Sequence, residues 1–368
     1  PVENIQEAEA FVNKTLTYEK AVNTDYQTNA LFLAQVLWKD PYTDSGESKN
    51  LIDELYLPDQ FDPVNKLYES KSNASKNNII EKILSGMNII NHDGHAWYSI
   101  MSVGQCSLGY TDMANLNNKD KYGFIYSIGC WPAAMDKHAV AEDFITNPEG
   151  GGIAFIGNSR YGWGSPGNPL FGYSDRFDQQ FFRQLFDQDI HHIGATLAAT
   201  KSFFAPLSAQ ENVYRWCQYE LNLLGDPELM IFTELPKQLS LNFPQNISTG
   251  NQKFTVSVTH DGTPVENCKL CVYQEDGTYF VTNTGTDGIA IFDGLVENTS
   301  ENLYLTATAH NFIPFEDSIE VNAEHPFLTF SRIDHDDLFS GSLLLNERLT
   351  ISPEIGRASC RERVCHRV

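Results

Sequence analysis

One cysteine and one histidine stand where acyl-transfer chemistry would need them. Cys130 follows Gly129 at the end of the apolar run Phe124–Ile128. His95 closes the run Asn91-His92-Asp93-Gly94-His95, just beyond apolar Met87–Ile90. A thiolate can attack a carbonyl carbon, and an imidazole can take the thiol proton and return it to the leaving group. Two N–H donors must also face the developing oxyanion. Gly129 lets the Cys130 N–H be presented at a strand-to-loop turn, and Gly94 permits an unusual backbone angle. The plainer reading of the same residues is an inert buried thiol and a loop histidine.

Other patterns are weaker. Cys268-Lys-Leu-Cys271 lies on an expected strand, where residues three apart face opposite sides, so zinc is not expected there. His92-x-x-His95 and His191-His192 lack the further ligands of catalytic zinc motifs, and no His-Glu-x-x-His occurs. Gly150–Gly152 precedes a strand instead of following one, which argues against a phosphate loop. The acidic loop Asp40–Asp44 has no EF-hand spacing. A third group to orient the imidazole stays open among Asp93, Asp40 and Asp44.

The elements that must position Cys130 and His95 alternate. Residues 1–20 carry Ile5, Ala8, Phe11, Val12 and Leu16 at helical spacing. Ala30–Trp38 reads as a buried strand, followed by a polar loop from Lys39 to Asn50 with Pro41 and Gly46 as breakers. Asn73 or Ser75 can cap a helix over Lys76–Leu84 that stops at Gly86. Met87–Ile90, Phe124–Ile128 and Gly152–Ile156 read as strands. Lys137–Thr146, Arg176–Phe186, Ile193–Phe204 and Glu211–Leu223 read as helices. This βαβα alternation predicts an α/β fold with a parallel sheet flanked by helices. In such sheets functional residues gather at the carboxyl ends of strands, where His95 and Cys130 stand. After Pro236 the texture turns to short alternating runs, at Phe254–Val258, Leu270–Tyr273, Ile289–Phe292 and Leu303–Ala307. Asp-Gly pairs separate them, which predicts a small all-β sandwich.

Composition bounds the rest. The chain has 368 residues, enough for two or three domains, and 41% are hydrophobic against 20% charged, as in globular proteins. Its formal charge of −23 repels phosphate backbones, so nucleic acid is not an expected partner. No run of apolar residues is long enough for a membrane span. Seven cysteines are few for a disulfide scaffold. Gly356–Val368 carries four Arg and two Cys in an otherwise acidic chain and resembles a translated sequencing adapter. The expected domains are 1–235, N-terminally truncated; 236–322, the sandwich; 323–355, the start of a further segment; and 356–368, the adapter.

Five segments follow one another in a familiar order and spacing: NIINHDGHAW (Asn88–Trp97), FIYSIGC (Phe124–Cys130), AEDF (Ala141–Phe144), GGIAFIGNSRYGW (Gly151–Trp163) and LNLLGDPEL (Leu221–Leu229). Together they resemble the gingipain family of cysteine peptidases, within the wider caspase-like group. The resemblance covers roughly residues 20–322 and extends to an immunoglobulin-like domain after the catalytic one. It implies His95 as general acid/base, Cys130 as the nucleophile that forms a thioester, and the N–H groups of Ala96 and Cys130 as the oxyanion hole. Trp163 would line the primary specificity pocket. Two departures stand out. The family has His-Gly where this chain has His95-Ala96, and a positive φ at alanine would cost about 1–2 kcal/mol. Arginine-specific relatives carry an acidic substrate-binding residue after Gly-Glu-Ser, whereas Gly46-Glu47-Ser48 is followed here by Lys49, which would repel a cationic side chain. The implied function is a secreted or cell-surface cysteine endopeptidase acting on peptides or proteins. It would need no cofactor, with calcium as a candidate structural ion. The alternatives are a sortase-like transpeptidase and a catalytically silent adhesion or binding protein on the same scaffold.

Overall fold

The computed structural model describes residues 2–275, 277–296 and 301–322. The expectations for 323–355 and 356–368 lie outside the described residues. The chain divides into two compact units: residues 1–237 with 310–314, and residues 238–309 with those from 315.

The first unit is built on a six-stranded sheet. From edge to edge its strands are Leu221–Gly225, Ala154–Asn158, Phe124–Ser127, Ile89–Asp93, Ala30–Ala34 and Asn65–Tyr68. All neighbours run parallel except Leu221–Gly225, which pairs antiparallel with Ala154–Asn158. Alternation along each strand feeds two cores. Phe32, Ile89, Phe124, Tyr126 and Ile156 pack on one face against Phe177, Phe181 and Phe182 of the Tyr173–Phe186 helix. Leu31, Leu33, Ile90, Ile125 and Phe155 pack on the other, against Ile79 and Ile83 of the Lys76–Ser85 helix and Phe144 of the Val140–Thr146 helix. Strands covered on both faces read as near-continuous apolar runs, which is why the sequence shows them so clearly.

Two expectations are corrected. The polar loop over 39–50 is instead a hairpin of Val36–Lys39 with Tyr42–Asp44, followed by the helix Gly46–Leu55. Its buried face carries Ser48, Lys49 and Ile52, so an internally paired lysine hid the amphipathic pattern. The helix expected over Glu211–Leu223 ends at Glu220, because the following apolar residues join the sheet as its antiparallel edge. At Lys76–Ser85 the Ser75 side chain accepts the Asn78 N–H, so Ser75 and not Asn73 is the cap.

The second unit is all-β. Gly250–His260 pairs antiparallel with Ile289–Val296, Ser240–Asn242 and Thr263–Pro264. A second sheet runs Asn246–Ser248, Phe315–Asn322, Leu303–Thr308, Lys269–Tyr273 and Tyr279–Asn283. Strict alternation buries Leu270, Val272, Leu303, Leu305 and Ala307. Asp261 and Gly262 both take positive φ, 48° and 79°, the pattern of a tight hairpin turn whose twist matches its strands.

Candidate active site

The strands that carry His95 and Cys130 are neighbours. Ile89–Asp93 and Phe124–Ser127 run parallel with His92 opposite Ser127, and the ladder continues from the Ile128 N–H to the His92 carbonyl at 3.1 Å. Each candidate therefore stands three residues beyond a paired position, at the same carboxyl rim. The two loops touch. A Cβ on Gly129 would lie 2.6 Å from the Ala96 Cβ and 2.8 Å from the Gly94 carbonyl oxygen. A Cβ on Gly94 would lie 2.3 Å from the Ser102 carbonyl oxygen. The expectation of an unusual angle at Gly94 is thus corrected: neither glycine is among the residues of positive φ, and both are needed for close approach.

Beneath the rim, fully buried His92 ties the loops to the sheet. Its Nδ1 lies 2.8 Å from Ser127 Oγ and its Nε2 2.9 Å from the Ser102 carbonyl oxygen. A carbonyl only accepts, so Nε2 carries the proton and Nδ1 accepts from the serine hydroxyl. Burial lowers the His92 pKa to about 4, which keeps this strut neutral. Asn158, at the end of the next strand, donates to the Ile128 and Gly129 carbonyls at 3.0 Å each and so fixes the turn before Cys130.

His95 is exposed. Its backbone N–H donates to Gln35 Oε1 at 2.9 Å, and its Nε2 lies 3.2 Å from the Leu37 carbonyl oxygen. By the same argument Nε2 holds the proton in neutral His95, and Nδ1 keeps the free lone pair of a base. Trp38 meets the ring edge-on at 6.4 Å between centroids. Of the three carboxylates left open, Asp44 accepts the Gly46 N–H, Asp93 is buried against Lys49, and neither these nor Asp40 hydrogen-bonds His95 among the described residues. Gln35 and the Leu37 carbonyl hold the histidine instead. No sequence motif marks them.

Cys130 is part-buried. Its Sγ accepts the Gly162 N–H at 3.3 Å. Burial pushes the thiol pKa up, the Gly162 N–H opposes this, and the nearby Glu220 charge adds to it. A cysteine so placed rests as the thiol and needs a base to ionise. Among the described residues nothing accepts the Cys130 N–H. Ala96 lies in the extended pair Ala96–Trp97, opposite Met101 and Ile100, and is not among the residues of positive φ, so the strain expected for alanine does not arise.

Trp163 is 37% exposed; its N–H donates to Ser174 Oγ and its indole Nε1 to Glu220 Oε1 at 2.8 Å. Burial raises the Glu220 pKa to about 7. Lys49 is placed elsewhere than a substrate-facing wall. It is 0% exposed, pairs with Asp178, and lies 3.9 Å from Asp93. An ammonium sealed among carboxylates neither repels nor binds a substrate side chain at the surface, which corrects that expectation. In the Asp40–Asp44 loop Asp44 Oδ1 accepts the Gly46 N–H, and no group of three or more His, Cys, Asp or Glu side chains that could hold a metal ion stands together among the described residues.

The family model that matches this chain spans the stretch that holds these residues. The model of Peptidase family C25 matches residues 1–232. Gingipain R2 from two strains of Porphyromonas gingivalis is 22% and 23% identical over 337 residues, covering 87% of this chain and 43% of that protein. The chain therefore spans less than half the length of these curated relatives. The crystal structure of the Arg specific cysteine proteinase gingipain R superposes with a TM-score of 0.73 at 19% identity, covering 87% of this chain and 74% of that one. A complex of Porphyromonas gingivalis RgpB pro- and mature domains gives 0.68 at 20% identity, covering 87% and 75%.

Proposed function

The chain belongs to Peptidase family C25, and on that premise we propose that it is a cysteine endopeptidase with Cys130 as nucleophile and His95 as general acid/base. The observation that carries this is the contact of the two rim loops, Gly129 against Gly94 and Ala96. His95 Nδ1 takes the thiol proton as sulfur bonds to the substrate carbonyl carbon. The oxyanion is held by the N–H groups of Cys130 and Ala96. Collapse breaks the C–N bond, the imidazolium protonates the departing amine, and a thioester remains. Water, deprotonated by His95, then releases the acid and restores the thiol. An amine in place of water would give transpeptidation by the same steps.

Trp163 is assigned to the wall of the primary specificity pocket, supported by its place one residue beyond Gly162, whose N–H meets the Cys130 sulfur. The substrates are peptides or proteins. A secreted or surface location follows from the family reading, and no helix among the described residues is long and apolar enough to cross a membrane. The second unit is assigned as immunoglobulin-like on its two antiparallel-rich sheets. Incubation with an electrophilic peptide probe is the test: wild type is labelled at Cys130, and Cys130→Ala and His95→Ala are not. Absence of labelling across varied probes would leave a catalytically silent binding protein as the better reading.

A further inference from the structure

Each of the three segments that meet at Cys130 carries an aromatic residue at the point of meeting. Trp97 follows Ala96, Trp131 follows Cys130, and Tyr161 precedes Gly162. The three rings form one group: Trp97 and Trp131 lie 5.0 Å apart between centroids, and Trp131 and Tyr161 lie 5.9 Å apart, edge to face. Trp97 is 41% exposed and Tyr161 55%, so the group presents a broad apolar surface beside the sulfur. Trp131 holds φ at +69°, a conformation rare for a bulky side chain. It is kept there by its N–H bonding to the Arg160 carbonyl at 2.6 Å and by the Ala134 N–H bonding to its own carbonyl at 3.0 Å. Backbone strain of this kind collects at sites that bind or react.

We propose that this group is a substrate subsite that selects an aromatic side chain flanking the scissile bond; the inference deepens the peptidase reading above and rests on it. Two observations choose the occupant. The Arg160 guanidinium, paired with Asp136 at 3.0 Å, already lies over the Trp131 ring at 4.6 Å, so the cation position of the platform is filled and a lysine or arginine side chain of the substrate finds that ring face occupied. A neutral ring does not need that position and gains edge-to-face contact with Trp97 and Tyr161. Continuity with Cys130 places the occupant next to the reacting carbonyl instead of at a remote surface.

The test separates this subsite from the catalytic reading. Cys130→Ala removes turnover and leaves the platform in place. Hexapeptide amides bearing a single Phe, Lys or Ala at each position in turn are titrated against it by calorimetry. The expected result is about tenfold tighter binding of a Phe peptide than of its Ala counterpart at one position, with Lys weakest. Adding Trp97→Ala or, independently, Tyr161→Ala removes the Phe advantage, and Arg160→Gln raises the affinity of the Lys peptide. Circular dichroism establishes that each variant is folded, and two exposed positions guard against the loss of one. Equal binding of Phe and Ala peptides, or tightest binding of Lys, overturns the subsite even where the electrophilic probe labels wild-type Cys130. Phe preference that depends on Trp97, with no labelling of wild type, upholds the subsite and overturns the dyad.

Discussion

At the sheet rim, His95 is exposed and Cys130 part-buried, and among the described residues both keep hydrogen-bonding capacity in reserve: the lone pair on Nδ1 and the Cys130 N–H, which has no acceptor there. Only two residues before His95, Asp93 is sealed with Lys49, Asp175 and Asp178, all within 2% exposure. Here polar groups are turned on one another. Burial raises the Asp178 pKa, with Lys49 opposing, and raises Asp175 to about 6. Asp93 is pushed well above the carboxylate range by burial and by Asp175. Among the described residues its carboxyl oxygens accept from no N–H or O–H donor. Burial and the neighbouring Asp175 both favour the uncharged form of Asp93. The contrast teaches that residue type does not decide whether a polar side chain reacts or braces; its remaining partners do.

The largest expected effect breaks the buried side of this contrast. Lys49→Met leaves Asp178 without its counter-charge and lowers stability by about 3–5 kcal/mol. Urea unfolding followed by tryptophan fluorescence reads this selectively, because all five tryptophans lie between residues 38 and 216. A loss below about 1 kcal/mol would place Lys49 in water and reopen its role toward substrate.

Next comes the rim. Gly129→Ala drives a Cβ into Gly94 and Ala96, destabilises by about 1–3 kcal/mol, and lowers kcat/KM more than that loss of folded protein explains. Unchanged turnover would show that the loop contact is not what holds the proposed Cys130–His95 pair.

A smaller effect sharpens the boundary between the regions. With the Glu220 carboxyl held at about 7 against 4.5 in the open chain, the folded protein keeps a proton that the unfolded chain releases, so stability falls as pH rises through that window. Glu220→Gln should flatten this slope while preserving the acceptor for Trp163 Nε1. A slope that is unchanged in thermal melts from pH 4.5 to 7.5 would assign the titration elsewhere.

Smallest is Asp93→Asn. Replacing a protonated carboxyl by an amide of the same shape, able to donate to Asp175, should change stability by less than about 1 kcal/mol. A loss as large as that of Lys49→Met would mean that Asp93 is ionised.

Much of the sheet was legible. The runs at Ala30, Met87, Phe124 and Gly152 stood out because strands covered on both faces must be apolar throughout. His95 and Cys130 were found because each directly follows such a run. Asn65–Tyr68 escaped notice, since a four-residue edge strand that reads Asn-Lys-Leu-Tyr has no pattern of its own. The helix Gly46–Leu55 was hidden by Lys49, which reads as a solvent residue until Asp178 is seen beside it. Gln35, Asn158 and Glu220 escaped for the same reason: their partners are far along the chain.

Periodicity, glycine placement and the order of apolar runs are local properties, so the amino-acid sequence alone determined the α/β class, the all-β second part and the two residues that stand at strand ends. The pairings of residue 49 with 178, of 35 with 95 and of 163 with 220 join stretches far apart in the chain. No local pattern encodes such contacts. Only the tertiary structure decided which lysine is buried, which nitrogen of His95 is free and which rings gather around the sulfur, because burial and hydrogen-bond partners arise only once the chain has closed on itself.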